Sequence, residues 1–167
     1  LRRTYFFHRR CVLYRCQANS LVYYEFDGLA SQAGLQHGVF TRLGGVSRPP
    51  FDTLNLGRSV GDDDEAVEEN YSRVCRALNI VRNSLVTGYQ VHSDHVAVVS
   101  PNDAGRLLPS TDGLLTASEG LSLTLRFADC VPLLFFDPVQ QVVGLAHAGW
   151  KGTVNHIGVK VVQAMQE

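Results

Sequence analysis

The chain has 167 residues, of which 45% are apolar and 19% are charged, and its formal net charge is −1. These values are typical of a globular protein that is large enough to bury a core, and they exclude a strongly basic nucleic-acid-binding or membrane-surface protein. No apolar run reaches the length of a membrane span, and the arginine-rich arm at 1–19 lacks the apolar core of a signal peptide. We therefore expect one cytoplasmic domain over residues 1–167, with the structure of the arm left open.

The first elements in chain order are two predicted strands, at 21–26 and 36–42, where β-branched and aromatic residues dominate. Asp27-Gly28 predicts a turn after the first strand. The second strand leads into a segment at 43–57 that is rich in glycine and is predicted to be a long loop.

The loop is a candidate anion site. Gly44 and Gly45 permit positive φ angles, which can direct successive backbone N–H groups at an anion. A surface loop that is merely punctuated by glycine and proline explains the same residues equally well, so both interpretations stay open. Three polar side chains are available there: Arg42, Ser47 and Asn55.

A helix is predicted to begin at the acidic run 62–65, because carboxylates are favoured at a helix N-terminus. Apolar residues then recur with helical spacing and predict a buried face. They are Val67, Tyr71, Val74, Cys75 and Leu78.

The second half of the chain alternates short apolar runs with turns. Residues 101–110 are predicted to be a loop, and Thr153 is predicted to be the N-cap of a closing helix. Since strands outnumber helices and come in runs, the pattern favours an α+β layered domain over a doubly wound sheet. The predicted strands lie at 85–92, 95–100, 121–127, 131–136 and 142–146. The predicted apolar face of the closing helix holds Val154, Ile157, Val161, Val162 and Met165.

Three reactive residues lie at the ends of predicted strands, where open sheets tend to place their sites. Cys130 begins one strand, His147 follows the end of the next, and His92 ends the strand at 85–92. Together they would form a His₂Cys set, and catalytic zinc typically keeps three protein ligands and a water whose pKa it lowers. Their long separations are not a local zinc motif, so spacing alone does not decide for a metal.

A second interpretation makes Cys130 a nucleophile that is activated by His147 or His92, with Asp129 or another acid orienting the base. Asp129 is also explained as a turn residue that bonds to its own backbone.

A third candidate is the segment 144–149, which has the glycine spacing of a phosphate-binding P-loop. Trp150 stands where the P-loop lysine should follow, so we reject a nucleoside triphosphatase.

Trp150 and Lys151 still suit a pocket for a flat, anionic ligand. The indole ring can stack on a flat ring, and the lysine can meet an anion.

Eight short motifs follow one another between residues 35 and 167. They are His37-Gly-Val-Phe-Thr-Arg-Leu-Gly-Gly-Val-Ser47, Leu54-Asn-Leu-Gly57, Gly61-Asp-Asp, Glu69-Asn70, Gln90-Val-His92, Asp112-Gly-Leu-Leu-Thr116, Ala128-Asp-Cys-Val-Pro132 and Ala146-His-Ala-Gly-Trp-Lys-Gly152. In this order the sequence resembles the YfiH/YlmD-like laccase-domain family, also called the polyphenol oxidase or purine nucleoside phosphorylase family.

The resemblance implies a compact layered α/β/β/α fold and a zinc site at the positions of His92, Cys130 and His147. It also implies purine nucleosides and phosphate as substrates, through phosphorolysis of adenosine, inosine or methylthioadenosine and through deamination of adenosine. Asp129 is then a candidate acid/base group. The candidate substrate and phosphate residues are Arg42, Gly44, Gly45, Ser47, Asn55, Trp150 and Lys151.

An older family name, multicopper laccase, implies polyphenol oxidation. Six histidines, one methionine and no His-x-His pair are few ligands for several copper centres, so zinc is the expected metal and copper the weaker candidate. Two alternatives remain: a zinc-independent hydrolase with Cys130 as nucleophile and His147 as base, and a zinc-stabilised interaction domain. The family continues past the closing helix, so the C-terminal part of its domain is expected to be missing from this chain.

Overall fold

The computed structural model describes residues 12–167. This part of the chain forms ten strands and four helices, and its strands make three sheets. The first sheet is antiparallel and consists of β1 (Leu13–Ala18), β2 (Leu21–Phe26) and β3 (Val39–Phe40), in that order. The prediction for 21–26 is confirmed, and a short helix α1 (Asp27–Ala30) follows where a turn was expected.

The predicted strand at 36–42 is mostly absent, since only Val39 and Phe40 pair with β2. On one side, the His37 ring nitrogen accepts the Phe26 backbone N–H at 2.8 Å and so takes a donor that a longer ladder would use. On the other side, the Arg42 carbonyl accepts the amides of the loop that follows, so the chain leaves the sheet.

The predicted amphipathic helix is α2 (Asp64–Leu78). Asp63 is its N-cap and accepts the Glu65 amide, and Asn79 ends the helix in the left-handed conformation. Four of the predicted face residues are buried, Leu78 is half-buried, and Asn70 is buried beside them.

The second sheet is parallel, with β4 (Leu85–Gly88) between β6 (Leu107–Leu108) and β8 (Ser122–Thr124). The strand predicted at 85–92 ends at Gly88, so His92 lies outside it. The segment predicted as a loop at 101–110 contains β6, whose two residues are too short a run for a pattern to indicate.

The third sheet has the order β5-β7-β10-β9. β5 (Val96–Val98) runs parallel to β7 (Gly113–Thr116), while β10 (Val142–Ala148) pairs antiparallel with β7 and with β9 (Val131–Asp137). The predicted strands at 131–136 and 142–146 correspond to the β9–β10 hairpin. This hairpin carries two of the candidate metal ligands at its open end.

Two short helices follow β10 in place of the single closing helix that was expected. Thr153 lies inside α3 (Trp150–Val154), and its amide donates to the Gly149 carbonyl, so the N-cap prediction is wrong. The chain breaks at His156, which has a φ of 60°, and α4 (Ile157–Ala164) begins after it. This break changes the helical phase and leaves Val154 exposed.

Neighbouring residues of two strands show the order of the layers. In β4, Leu85 packs with α2, while Val86 packs into the core between the second and third sheets. In β7, Leu114 joins that same inter-sheet core, while Leu115 packs against α4. The layers are therefore α2, the β6-β4-β8 sheet, the β5-β7-β10-β9 sheet and α4, which confirms the α/β/β/α arrangement. None of the described helices is long and apolar enough to cross a membrane.

Candidate metal centre

The β9–β10 hairpin positions Cys130 and His147. Its register pairs Ala148 with Val131 and His147 with Pro132, so Cys130 lies directly before the first paired residue of β9. His147 is buried, and Cys130 is half-buried. Two residues that are far apart in sequence are thus fixed side by side at one end of a regular ladder.

His92 reaches the same place from the segment that follows β4. The amides of three consecutive residues donate to the carboxylate of Asp112: Val91 at 3.0 Å, His92 at 3.1 Å and Ser93 at 2.8 Å. The Ser93 hydroxyl donates to it as well, at 2.8 Å. These bonds bend the backbone away from the strand direction, and His92 has a φ of 59°. The turn replaces the strand end that was predicted at His92.

Asp112 also orients His147. Its Oδ1 lies 2.8 Å from Nδ1 of His147, and both side chains are almost completely buried. Burial raises the pKa of Asp112, but the hydrogen bonds from His147, Ser93 and Val91 outweigh it, and the net pKa is lowered. An ionised carboxylate can only accept, so Nδ1 of His147 carries the proton and Nε2 keeps a lone pair for a metal.

The three side chains form one compact cluster. The possible ligand atoms of His92, Cys130 and His147 all lie within 4.8 Å of one another. The two imidazole rings meet edge to face with centroids 4.8 Å apart, and the Phe127 ring lies 5.6 Å from that of His147. Over residues 12–167, this is the only such group of three or more potential ligands.

The cluster is closed on one side and open on the other. A Cβ on Gly149 would lie 2.7 Å from Nδ1 of His92 and 3.5 Å from Sγ of Cys130, so the backbone there leaves no space for a side chain. His92 itself is exposed. An imidazole pair and a thiolate are ligands that zinc accepts, and an open side is what a catalytic site needs for water or substrate.

The Cys130 thiol is not activated by its protein surroundings. Its burial and the neighbouring Asp129 carboxylate both raise the pKa of the thiol. A nucleophilic cysteine needs the opposite effect. A metal cation at the cluster would supply it, because coordination deprotonates a thiol.

Asp129, Trp150 and Lys151 lie close in sequence to residues of the cluster or its wall. The Asp129 side chain is exposed and lies beside Cys130. Trp150 begins α3 directly after Gly149 and is 72% exposed, with the Lys151 ammonium 5.6 Å from its ring centroid. All three side chains are exposed, so solvent or a ligand can reach them.

The polar groups of the glycine-rich loop contact one another instead. The Arg42 guanidinium donates to the carbonyl and carboxylate of Asp52, at 2.6 and 3.1 Å. The Gly45 amide donates to Thr53 Oγ1, and a Cβ at Gly44 or Gly45 would lie within 2.1 Å of another backbone oxygen. Close packing therefore accounts for both glycines, and their contact with phosphate stays a prediction.

Ser47 and Asn55 are held in the same way. Asn70 of α2 donates to the buried Ser47 hydroxyl at 2.9 Å and to the Asn55 carbonyl at 2.9 Å. The Asn55 side chain donates to Asp62 at 2.9 Å. Among the described residues, no hydrogen bond joins either residue to the metal cluster, and their contact with substrate also stays a prediction.

Asp112 is the functional residue that the sequence reasoning missed. In sequence it directly precedes Gly113, and an Asp-Gly pair is typical of a turn that leads into a strand. Its partners lie about 20 residues before it and 35 residues after it. No local pattern signals such contacts, and only its position in a family motif marks the residue.

Comparison with known proteins identifies similar sequences and structures. Residues 36–167 match the family model described as multi-copper polyphenol oxidoreductase laccase. Purine nucleoside phosphorylase YlmD of Bacillus subtilis (strain 168) is 42% identical over 137 residues, which cover 78% of this chain and 49% of the relative. Purine nucleoside phosphorylase ORF3 of Streptomyces griseus is 45% identical over 138 residues, covering 81% and 56%.

Two crystal structures are similar as well. YlmD from Geobacillus stearothermophilus has a TM-score of 0.85 at 35% identity and covers 94% of this chain and 59% of that chain. The Bacillus licheniformis hypothetical protein YfiH has a TM-score of 0.80 at 37% identity, covering 87% and 55%. The chain thus spans about half the length of the curated relatives it matches.

Proposed function

We propose that the chain, which belongs to the multi-copper polyphenol oxidoreductase laccase family, is a zinc-dependent enzyme of purine nucleosides. The observation that carries the proposal is the convergence of His92, Cys130 and His147 within 4.8 Å. Relatives named purine nucleoside phosphorylase support the substrate class. The chain spans about half the length of these relatives, so their named activity is a proposal for this chain.

The donor set fits zinc. His147 and His92 offer imidazole nitrogens, Cys130 offers sulfur, and Asp112 fixes the tautomer of His147 that leaves Nε2 free. When bound, zinc would supply a Lewis acid that polarises a substrate group and lowers the pKa of water.

The proposed reactions are phosphorolysis of adenosine, inosine or methylthioadenosine and deamination of adenosine. In phosphorolysis a phosphate oxygen bonds to the sugar C1′ while the bond from C1′ to the purine nitrogen breaks, which releases the base and a sugar 1-phosphate. The departing base gains a proton, and Asp129 at the rim is the proposed acid. In deamination water adds to the purine carbon that bears the amino group and ammonia leaves, which gives inosine, and Asp129 would move the protons.

Trp150 and Lys151 are the proposed substrate residues of the open side. The exposed indole next to Gly149 offers a flat surface on which a purine can stack, and the Lys151 ammonium offers a positive charge for an anion. In the glycine-rich loop, Arg42, Gly44 and Gly45 remain the residues that we propose to bind phosphate.

The cysteine hydrolase is the weaker alternative, because the surroundings of Cys130 raise the pKa of its thiol. Polyphenol oxidation is the second candidate function, since a His₂Cys set also suits copper. One cluster of ligands among residues 12–167 is fewer than a multicopper reaction needs, so zinc is our proposal.

The test combines metal analysis with product analysis on the full chain. We expect one zinc per chain, and we expect Cys130→Ala and His147→Ala to lose it while Cys16→Ala, a cysteine outside the cluster, keeps it. Chromatography after incubation with adenosine, with and without phosphate, should show adenine only with phosphate and inosine in either case. Zinc retained by both cluster variants would overturn the site, and turnover that survives chelation would favour the hydrolase.

A further inference from the structure

A second cleft, separate from the metal cluster, is unusually rich in arginine. It has a volume of about 160 Å³ and lies between α2, with the turn before it, and the β6-β4-β8 sheet. Its lining contains no carboxylate. It contains four guanidinium groups, from Arg58, Arg82, Arg106 and Arg126.

Carboxylates outside the lining hold three of these arginines in place. Glu68 of α2 forms ion pairs with Arg58 and Arg82, and the Arg82 bonds measure 2.8 and 3.1 Å. Asp103 accepts Nη1 of Arg106 at 2.9 Å. Each guanidinium has five N–H groups, so these contacts orient the arginines and leave donors for a ligand.

Arg126 has no ion pair with any residue in the described part of the chain. Its Nη2 donates to the Gly88 carbonyl at 3.3 Å. The side chain of Gln90 clamps its backbone, because Nε2 donates to the Arg126 carbonyl at 2.7 Å and Oε1 accepts its amide at 2.9 Å. Arg126 is therefore a positioned cation whose charge is not compensated.

Two further wall residues fit a bound oxyanion. The Thr87 hydroxyl is buried and has no hydrogen-bond partner among residues 12–167, which leaves an unused donor in the wall of the cleft. Tyr89 stands at the rim and is 47% exposed, so its ring is available to a group attached to the anion.

We propose that this cleft binds a phosphate group. Converging guanidinium forks match the oxygens of phosphate, and arginine is favoured wherever such recognition matters. The volume is below the ~300 Å³ at which clefts begin to enclose a whole small molecule. The cleft therefore takes either inorganic phosphate or the phosphate of a nucleotide whose remainder lies outside, against Tyr89.

The cleft and the metal cluster share two chain segments. Tyr89 precedes His92 by three residues, and Arg126 precedes Phe127, whose ring faces His147. Phosphate binding in the cleft does not require that the chain acts on purine nucleosides. If both proposals hold, the enzyme has a phosphate site that is different from the loop at Arg42.

Calorimetric titration of the full chain with inorganic phosphate tests the proposal. Chelator-treated protein in a low-salt buffer without phosphate keeps the metal out of the measurement. We expect saturable binding, and we expect Arg126→Gln and Arg106→Gln each to weaken it about tenfold or more, because each removes charge-assisted bonds. Arg76→Gln is the matched control, since Arg76 pairs with Glu69 outside the cleft.

Arg42→Gln separates the two anion sites. A binding event that Arg126→Gln removes and Arg42→Gln retains supports the cleft, whereas loss of all phosphate binding in Arg42→Gln with normal binding in Arg126→Gln overturns the proposal. Absence of saturable binding to the parent chain overturns it as well. Circular dichroism confirms that each variant is folded, and Arg106, whose side chain is 62% exposed, gives a second variant with little risk to the fold.

The source of the phosphate is decided by a second titration, with adenosine 5′-monophosphate. If a nucleotide is the ligand, it binds more tightly than inorganic phosphate, and Tyr89→Ala reduces only that advantage. If free phosphate is the ligand, both bind equally and Tyr89→Ala has no effect. A failure of adenosine turnover with intact phosphate binding would refute the proposed enzyme and leave the cleft standing.

Discussion

Asp112→Asn is the sharpest test of how the metal centre is built. The two oxygens of Asp112 accept five hydrogen bonds: Oδ2 from Val91 N and from both donors of Ser93, and Oδ1 from His92 N and His147 Nδ1. Asparagine has almost the same shape, but one of its two ends is a donor. At least one end of the network must then place N–H against N–H.

The hydrogen bonds that Asp112→Asn would lose set the size of the expected change in the free energy of unfolding. If the amide oxygen faces Ser93 and Val91, the amide nitrogen faces the His92 amide, and one bond to a charged group, worth about 1.5–3 kcal/mol, is lost. The remaining bonds weaken because the acceptor is no longer charged. We expect the free energy of unfolding to fall by about 3 kcal/mol.

The effect on metal binding has a separate cause. The asparagine amide would donate to Nδ1 of His147, which moves the ring proton to Nε2, the nitrogen that must coordinate. Loss of such an orienting partner typically costs about 10–100-fold in metal affinity. A purely structural role for Asp112 would not predict this tautomer change, which nitrogen-15 NMR of the imidazole reports directly.

The assays are urea denaturation of the metal-free chain and competition for zinc against a chelator of known affinity. Asp64→Asn is the matched control, because its side chain is 81% exposed and the expected change is within about 0.5 kcal/mol. Zinc affinity within twofold of the parent and an unchanged His147 tautomer would refute the role given to Asp112.

Two further changes probe the surroundings of the site and of the first sheet. Gly149→Ala places a methyl group 2.7 Å from Nδ1 of His92, so we expect zinc affinity to fall at least tenfold in the chelator competition. Gly28→Ala is the control, because its methyl group meets nothing within 4 Å, and it should leave the affinity unchanged. Equal zinc affinities of the two variants would contradict the packing argument. Burial lowers the pKa of His37 below 6.5, which means that the folded state disfavours the charged ring, so its contribution to stability is complete above about pH 6.5 and is lost as pH falls below it. Urea midpoints at about pH 7.5 and about pH 5.5 should differ more for the parent chain than for His37→Gln, and identical differences would show that His37 does not titrate as argued.

The family resemblance and the layered fold were predictable from the sequence, and the matches and the structure confirm both. The helix α2 was predictable because a single stripe of its apolar residues is buried, against Leu85 of β4 and Leu21 of β2, so helical spacing and burial coincide. The hairpin β9–β10 was predictable because both runs are apolar and a polar turn separates them. In these elements a local pattern determines the local structure.

The errors have long-range causes. The strand predicted to reach His92 ends early because Asp112, 20 residues away, takes the amides that would continue a ladder. The strand predicted at 36–42 is short because the His37 ring accepts the Phe26 amide and because amides of the following loop bond to the Arg42 carbonyl. The cleft around Arg126 was not predictable, because its four arginines are spread over almost 70 residues of chain and meet only after the sheet has formed.

The register of the β9–β10 hairpin has a consequence for how the family can vary in length. Along β10, Gly144 and Ala146 face α4, whereas Leu145 faces the inter-sheet core, and His147 lies on the same side as Leu145. A single residue inserted into β10 before His147 would turn the imidazole towards α4 and separate it from Cys130. Insertions and deletions in this strand should therefore survive only in steps of two, whereas the turn at 138–141 can change length freely.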